Sequence, residues 1–219
     1  RYGGRAGVLS LNAANNLFIK GNLSDGFRDE PEGIDLSATL GAGRTVPVKD
    51  MLQPGKSWGY QLTAGNSVNV GSNVFVRTGT GNIDIEAGQD MVLTDAGSAI
   101  YTAGRPVETS RYGSFKDSFV AYSFFGEYPV EGGDISITAG RDVVGAVTGQ
   151  FFDSWFARTG NWTQNQDHTG ETPTAWSIAI GGPVGTGRAP SSFNQNVGAL
   201  GGGDVVVTAG RDVNNLSVV

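Results

Sequence analysis

A short phrase that recurs along this chain constrains its fold more than any other feature of the sequence. The phrase reads Gly-Asp/Asn-Ile/Val-x-Ile/Val-x-Ala-Gly-x-Asp-Val/Met, and its clear copies are residues 81–91, 133–143 and 203–213. Weaker copies in the same register are residues 7–17, 58–68 and 97–107. Repetition of a unit this short predicts a stacked β architecture, because one unit cannot bury its apolar face without neighbours on either side.

Apolar and polar residues alternate within each copy. Ile135 and Ile137 fall on one face of the segment and Ser136 on the other, which predicts a half-buried strand. Ile137 and Val207 occupy the same repeat position, so stacked copies would place them in one internal ladder. The residues that directly follow the corner, Arg-Asp-Val in two of the clear copies, are expected to start a second short strand, whose inward residues are Val68, Met91, Val143 and Val213.

An Ala-Gly corner separates the two strands of each unit. Glycine is expected at this corner because it reaches positive φ without steric cost and leaves room inside a tight turn. The three clear copies place it at Gly88, Gly140 and Gly210. The Asp that follows is expected to form the turn by accepting backbone N–H groups, and it is Asp90, Asp142 and Asp212.

The spacing of the corners favours a parallel β-helix, whose coils take roughly 20 to 25 residues. Gly65 and Gly88 are 23 residues apart, which is one coil, and Ala14 and Gly65 are 51 apart, which predicts two. Gly140 and Gly210 are 70 apart, either three coils or one coil that carries a large insertion. Gly104 fits none of these intervals and is interpreted as a different corner of the same coil as Gly88.

The whole chain, residues 1–219, is therefore predicted to be a single all-β, parallel β-helix segment of a longer polypeptide. Two insertions are expected to leave it, at about 105–132 and 145–201. They hold most of the aromatic residues. The spacing of Phe151, Phe152, Trp155 and Phe156 allows a short amphipathic helix in the second insertion.

Composition excludes several classes of function. The formal net charge of −6 argues against a nucleic-acid partner, which requires a basic surface. No stretch approaches the ~20 apolar residues of a membrane span. With no Cys and a single histidine, His168, thiolate and imidazole metal sites are excluded, and no cofactor is expected. His168 is interpreted as a solvated loop residue.

Two segments carry a family resemblance. Residues 132–143, Gly-Gly-Asp-Ile-Ser-Ile-Thr-Ala-Gly-Arg-Asp-Val, and residues 202–213, Gly-Gly-Asp-Val-Val-Val-Thr-Ala-Gly-Arg-Asp-Val, resemble the repeats of filamentous-haemagglutinin-like exoproteins. These are long bacterial proteins exported by two-partner secretion. The resemblance implies a right-handed parallel β-helix, an outer-membrane secretion partner and a secreted or cell-surface location. It also implies a role in adhesion or contact-dependent inhibition, with a receptor or glycan on a host or neighbouring cell as partner.

The insertions are where such a protein would carry its binding groups, because loops on a rigid scaffold are free to vary. Most of their aromatic residues are expected to pack the insertions against the flank of the β-helix. A subset is expected to stay exposed, since aromatic rings stack on sugars and fill receptor pockets. The candidates for this binding role are Tyr128, Trp155, Trp162 and Trp176.

A carbohydrate-active enzyme of the polysaccharide lyase or glycoside hydrolase type is the main alternative, and a purely structural shaft is a third hypothesis. An enzyme of this kind needs three or more acidic side chains that converge along one face. The acidic candidates are Asp84, Asp90, Asp134, Asp142, Asp204 and Asp212. Because most of them follow the repeat, they are interpreted as turn-forming residues, and the chain is predicted to have no catalytic activity.

Overall fold

The computed structural model describes residues 5–27, 52–106, 129–150 and 193–219, and the backbone of four further short strands within the range 33–178. All secondary structure in these residues is β, and no helix occurs among them. The strands are β1 (Val8–Ala13), β2 (Leu17–Ile19), β3 (Leu23–Asp25), β4 (Gly33–Asp35), β5 (Thr45–Pro47), β6 (Gly59–Ala64), β7 (Val68–Val70), β8 (Phe75–Thr78), β9 (Ile83–Ala87), β10 (Met91–Leu93), β11 (Ala99–Thr102), β12 (Arg105–Pro106), β13 (Pro129–Val130), β14 (Ile135–Ala139), β15 (Val143–Val144), β16 (Phe156–Thr159), β17 (Ala175–Ile178), β18 (Val197–Ala199), β19 (Val205–Ala209) and β20 (Val213–Asn214).

Three parallel sheets contain fourteen of these strands. The first sheet has the order β1-β6-β9-β14-β19, the second β2-β7-β10-β15-β20, and the third β18-β11-β8-β3. The chain visits the first, second and third sheets in turn and then returns to the first, and each such circuit is one pass. There are five passes, the fifth reaching the third sheet through a parallel bridge between Val218 and Val197. The predicted all-β, parallel-stacked architecture is confirmed, and it is compatible with a parallel β-helix.

The core lies between the three sheets and consists of columns of like side chains. In the first sheet Ile137 pairs in register with Ile85 before it and Val207 after it. The column continues through Leu62 and Leu11 to the first pass. Leu62, Ile85 and Ile137 are all at most 1% exposed, as the alternation in the sequence predicts.

The outermost pass departs from this pattern. Val207 is only half-buried, and Val213, which was expected to point inwards, is 52% exposed. Its counterparts Met91 and Val143 are fully buried. Val213 pairs in register with the buried Val143 and so keeps the predicted facing, but it is exposed because β20 has a described strand, β15, on one side only.

The prediction of two coils between Ala14 and Gly65 is also wrong. β1 pairs directly with β6, so these residues belong to successive passes, and residues 28–51 form an excursion between them. The 70 residues between Gly140 and Gly210 likewise belong to one pass with an insertion, since β14 pairs directly with β19. The weak copy at 97–107 lies in the third sheet rather than the first, which agrees with Gly104 marking a different corner.

Three insertions in the chain, termed excursions, interrupt the passes next to strands of the third sheet: the first follows β3, the second follows β11, and the third precedes β18. The first, residues 28–51, was not predicted, and it contains the antiparallel pair β4–β5. The second leaves and returns through the antiparallel pair β12–β13. The third contains the antiparallel pair β16–β17. Phe156, expected on a short helix, begins β16 instead, while Phe151, Phe152 and Trp155 lie outside the described residues.

The corner glycines stack for a reason other than the expected one. Gly65, Gly88, Gly140 and Gly210 do not have positive φ. Instead, a Cβ built on Gly88 would overlap the carbonyl oxygen of Gly65, and the same overlap recurs at each later corner. Backbone hydrogen bonds continue through the column, with Gly88 N–H donating to Ala64 O at 2.9 Å. Glycine is required here because successive corners lie in backbone contact.

Candidate functional site

The outer face of the first sheet carries two rows of polar side chains. Since side chains alternate along a strand, the residues between the buried ones point to solvent. Register pairing stacks them from pass to pass. One row contains Ser10, Gln61, Asp84 and Ser136, and the other contains Asn12, Thr63, Glu86 and Thr138.

All members of these rows except Thr138 line a shallow groove of about 300 Å³. Its polar lining is hydroxyl and amide groups together with the carboxyl groups of Asp84 and Glu86, and no basic side chain contributes to it. Ser10 donates to Gln61 Oε1 at 2.9 Å, so the lining is partly ordered by contacts between passes. The groove is therefore a polar, acidic surface that runs across four passes.

Asp84 has a raised pKa. Partial burial raises the pKa of its carboxyl group, and the negative charges of Glu86 and Asp134 raise it further. Each effect disfavours the ionised form. An Asp in this setting is stabilised by a cation or a hydrogen-bond donor that enters the groove.

Asp84 was one of six acidic candidates in the sequence, and Glu86 was not among them. The two residues nevertheless break the repeat. The positions of Asp84 and Glu86 are occupied by Ser136 and Thr138 in the fourth pass and by Val206 and Thr208 in the fifth. An acidic pair at positions that are otherwise neutral was the signal that could have identified the groove.

The motif aspartates form a ladder on the second sheet's side of the corner. Asp90 accepts from Arg141 Nε at 2.7 Å and from the backbone N–H of Asp142 at 3.3 Å. Asp142 accepts in the same way from Arg211 Nε at 2.8 Å and from the N–H of Asp212 at 3.2 Å. Hydrogen bonds from these arginines lower the pKa of both carboxyl groups.

A second ladder runs through the residue that follows the first motif glycine. Asn82 Oδ1 accepts from Asp134 N–H at 3.0 Å, and Asp134 Oδ1 accepts from Asp204 N–H at 2.9 Å. The motif side chains thus accept backbone N–H groups, but those of the next pass. The expectation of a local turn is corrected accordingly, because stacking brings the following pass closer than the residue's own turn.

The outer face of the third sheet is covered by an aromatic cluster that the sequence did not predict. Tyr101 is buried, and its ring makes edge contacts with Phe27, Phe75 and Phe193 at centroid distances of 5.8, 6.2 and 5.3 Å. Arg77 lies 4.1 Å above the Phe27 ring centroid and donates to the Tyr101 hydroxyl at 2.9 Å. Burial raises the pKa of Tyr101, opposed by the Arg77 charge.

The bases of two excursions, termed their stems, contribute buried side chains to this cluster. Phe27 and Leu52 are the residues on either side of the first excursion, and Phe193 is on the returning side of the third. All three are at most 4% exposed. The first and third excursions are therefore held against the same sheet face, as expected for some insertion aromatics.

Polar contacts close the base of each excursion. Gln53 Nε2 donates to Phe27 O at 2.7 Å across the first, and Gln195 Nε2 donates to Gln150 O at 2.6 Å across the third. At the second, Glu131 accepts from Arg105 at 2.5 Å and from Lys56 at 3.1 Å. The hydrogen bond from Arg105, and to a smaller extent that from Lys56, lowers the pKa of Glu131 to about 2. Lys56 lies on the returning stem of the first excursion, so this cluster links two excursions.

Of the predicted binding aromatics, Tyr128, Trp155 and Trp162 lie outside the described residues, as does His168. Trp176 lies in β17, where its backbone pairs with Arg158. Within the described residues, no group of three or more His, Asp or Glu side chains could hold a metal ion. Nor does the described part of the chain contain a helix long and apolar enough to cross a membrane.

Comparison with known proteins identified no relative of this chain. No protein-family model, curated protein or solved structure matches the chain. The class of protein is therefore argued from the repeat, the stacked sheets and the surfaces that they carry.

Proposed function

We propose that this chain is a right-handed parallel β-helix segment of a filamentous-haemagglutinin-like exoprotein, secreted to the bacterial surface, where it makes contact with a receptor or glycan through its excursions. One observation carries the proposal. Each excursion adjoins one strand of the third sheet in the chain, β3, β11 or β18, and stems of two of them pack into the aromatic cluster on that sheet's outer face. A rod that presents its variable segments on one side is suited to contact with another surface.

The rod itself supports this role because its passes are tied together at every level. Columns such as Leu62–Ile85–Ile137 fill the interior, and the glycine corners and aspartate ladders fix one pass upon the next. Stability in such an array is approximately a sum over neighbouring units, so a long excursion is tolerated without loss of the core. The scaffold is thus stiff while the excursions are free to vary.

The rival hypothesis of a carbohydrate-active enzyme has one observation in its favour. Asp84 and Glu86 lie on one outer face, and the pKa of Asp84 is raised, as for a general acid. The groove lining provides these two carboxyl groups, fewer than the three or more that were expected of an enzyme site, although a pair can serve a glycoside hydrolase. Release of shorter or unsaturated saccharides from a panel of polysaccharides would favour the enzyme, and loss of that activity in Asp84→Asn would assign it to the groove.

The contact hypothesis is tested with shortened excursions. Because Pro106 pairs with Pro129 and Thr159 with Ala175, residues 107–128 or 160–174 can be replaced by a short hairpin turn. We expect at least one of these variants to lose binding to cells or to a glycan panel by tenfold or more while its melting temperature is retained. Phe18→Ser, at a 60% exposed position on the second sheet, is the matched control and should bind normally.

Point substitutions refine the same test. Trp162→Ala and Trp176→Ala should reduce binding more than they reduce the melting temperature if these rings contact the partner. An equal loss of melting temperature in both tryptophan variants and in a core variant would instead assign the rings to packing. Unchanged binding in every shortened variant would sink the contact hypothesis and favour a purely structural shaft.

A further inference from the structure

The polar groove on the first sheet lies apart from the stems of the excursions. It is lined only by residues of four stacked strands, β1, β6, β9 and β14. The aromatic cluster that anchors the excursions covers the outer face of the third sheet instead. A ligand in the groove would therefore be bound by the shaft itself, independently of the proposed contact role of the excursions.

We propose that this groove is a binding site for a linear oligosaccharide that carries free amino groups. Its lining of hydroxyl and amide side chains, among them Ser10, Asn12 and Gln61, matches the hydroxyl groups that a sugar chain presents. Two carboxyl groups at one level, Asp84 and Glu86, match the ammonium groups.

The geometry of the sheet suits an extended ligand. Neighbouring strands lie ~4.8 Å apart, so the four passes from Ser10 to Ser136 span roughly 14 Å along the stacking axis. Outward residues two apart on one strand, such as Asp84 and Glu86, are separated by about 7 Å. The two rows thus form parallel lines of hydrogen-bonding groups, and a saccharide lying along them would meet a new pair of side chains at each pass.

The charge distribution selects an amine-bearing ligand over other saccharides. The groove lining contains two acidic side chains and no basic one, and Asp134 adds a third negative charge near Asp84. Sulfated or uronate-rich chains would be repelled. Partial burial first, and then the charges of Glu86 and Asp134, raise the pKa of Asp84, and a ligand ammonium would offset both effects by favouring the ionised carboxylate.

A saccharide also fits this face better than a peptide. Peptides are commonly held by backbone pairing at a sheet edge or by apolar pockets. Here the backbone groups of β6, β9 and β14 are used in pairing within the sheet, and the groove is polar. A basic peptide would find the two carboxyl groups but nothing that selects its backbone.

Calorimetric titration of the full chain with a fully de-N-acetylated glucosamine hexasaccharide tests the proposal. We expect saturable binding that weakens tenfold or more in the double variant Asp84→Asn/Glu86→Gln. The control Asp212→Asn removes an exposed carboxyl group outside the groove and should leave affinity unchanged. Circular dichroism and melting temperature check that the double variant keeps its fold.

Three comparison ligands complete the test. The fully N-acetylated hexasaccharide should bind at least tenfold more weakly, and a heparin oligosaccharide should not bind the groove. Hexalysine that binds as tightly as the amino sugar would overturn the proposal in favour of an unselective cationic surface. Equal affinity of the double variant and the unmodified chain for the amino sugar would also overturn it. The variants shortened at 107–128 and 160–174 should retain this binding, which separates failure here from failure of the contact hypothesis.

Discussion

Arg141 pairs with Asp90 of the preceding pass and not with Asp142, its neighbour in the sequence. The Nε atom of Arg141 lies 2.7 Å from Asp90 Oδ1, and its second nitrogen, Nη2, contacts Asp90 Oδ2. Arg211 repeats the arrangement with Asp142. The Arg141-Asp142 dipeptide therefore supplies a donor to the pass before it and an acceptor to the pass after it, so that the ion pairs link three successive passes.

Removal of one ion pair should have a small effect on stability. We expect Arg141→Ala to lower the free energy of unfolding only slightly, because the Arg141 side chain is 46% exposed and solvent screens the pair. Urea denaturation measures the change. Asp212→Asn is the matched control, because Asp212 occupies the same repeat position as Asp90, the partner of Arg141, but is 62% exposed. This substitution should lower the free energy of unfolding by less. A loss of several kcal/mol in Arg141→Ala would show that the ladder contributes more than a screened pair.

An interior residue and a terminal residue of one core column should respond differently to the same kind of substitution. Ile137→Ala removes a fully buried side chain between two neighbouring passes and should cost roughly 2 to 5 kcal/mol. Val207→Ala should cost less, because Val207 is half-buried and pairs with a described strand on one side only. Thermal and urea unfolding of both variants provide the comparison. Equal losses would contradict this order of stacking.

Steric contact at the corners makes alanine intolerable where glycine is found. Gly88→Ala would place a Cβ on the carbonyl oxygen of Gly65, so the two passes would have to separate. We expect a loss of roughly 1 to 3 kcal/mol or more. Gly21→Ala is the control, since a Cβ there meets no atom within 4 Å. Melting temperatures of the two variants decide the matter, and an unaffected Gly88→Ala protein would exclude the backbone contact.

Acid should weaken the link between the first two excursions. The pKa of Glu131 is lowered to about 2 by Arg105 and Lys56, against roughly 4.3 in an unfolded chain. A lowered pKa means that the contribution is fully present above the unfolded value and is lost as the pH falls from about 4 towards 2. Glu131→Gln should therefore be less stable than the unmodified chain at pH 7 and equally stable near pH 2. Melting temperatures across this range test the sign, and a difference that grew on acidification would contradict it.

Residues that follow the repeat could be placed from the sequence because the same local rules act on each copy. Alternation identified Ile85 and Ile137 as inward residues, and the common repeat position placed Val207 in the same column. The corner glycines were also located correctly, although their cause is contact between passes and not positive φ. That contact involves residues such as Gly65 and Gly88, whose approach no local pattern encodes.

Features that depend on interruption of the repeat were missed. The interval of 51 residues between Ala14 and Gly65 fitted two coils as well as one coil with an excursion, and spacing alone could not separate them. The cluster around Tyr101 joins Phe27 and Phe193, which are far apart in the chain and share no periodicity. The acidic pair in the groove was visible as a break in the repeat, but its setting depended on strands from four passes.

The sequence by itself determined that this chain forms short strands, that they stack, and which side chains face inwards, since alternation and repetition are local and additive. Only the tertiary structure decided where each pass closes, which arginine reaches which aspartate, and which sheet face carries the excursions. These depend on contacts between residues some 20 to 90 positions apart, and the free energy of such contacts is set by the geometry of the stack.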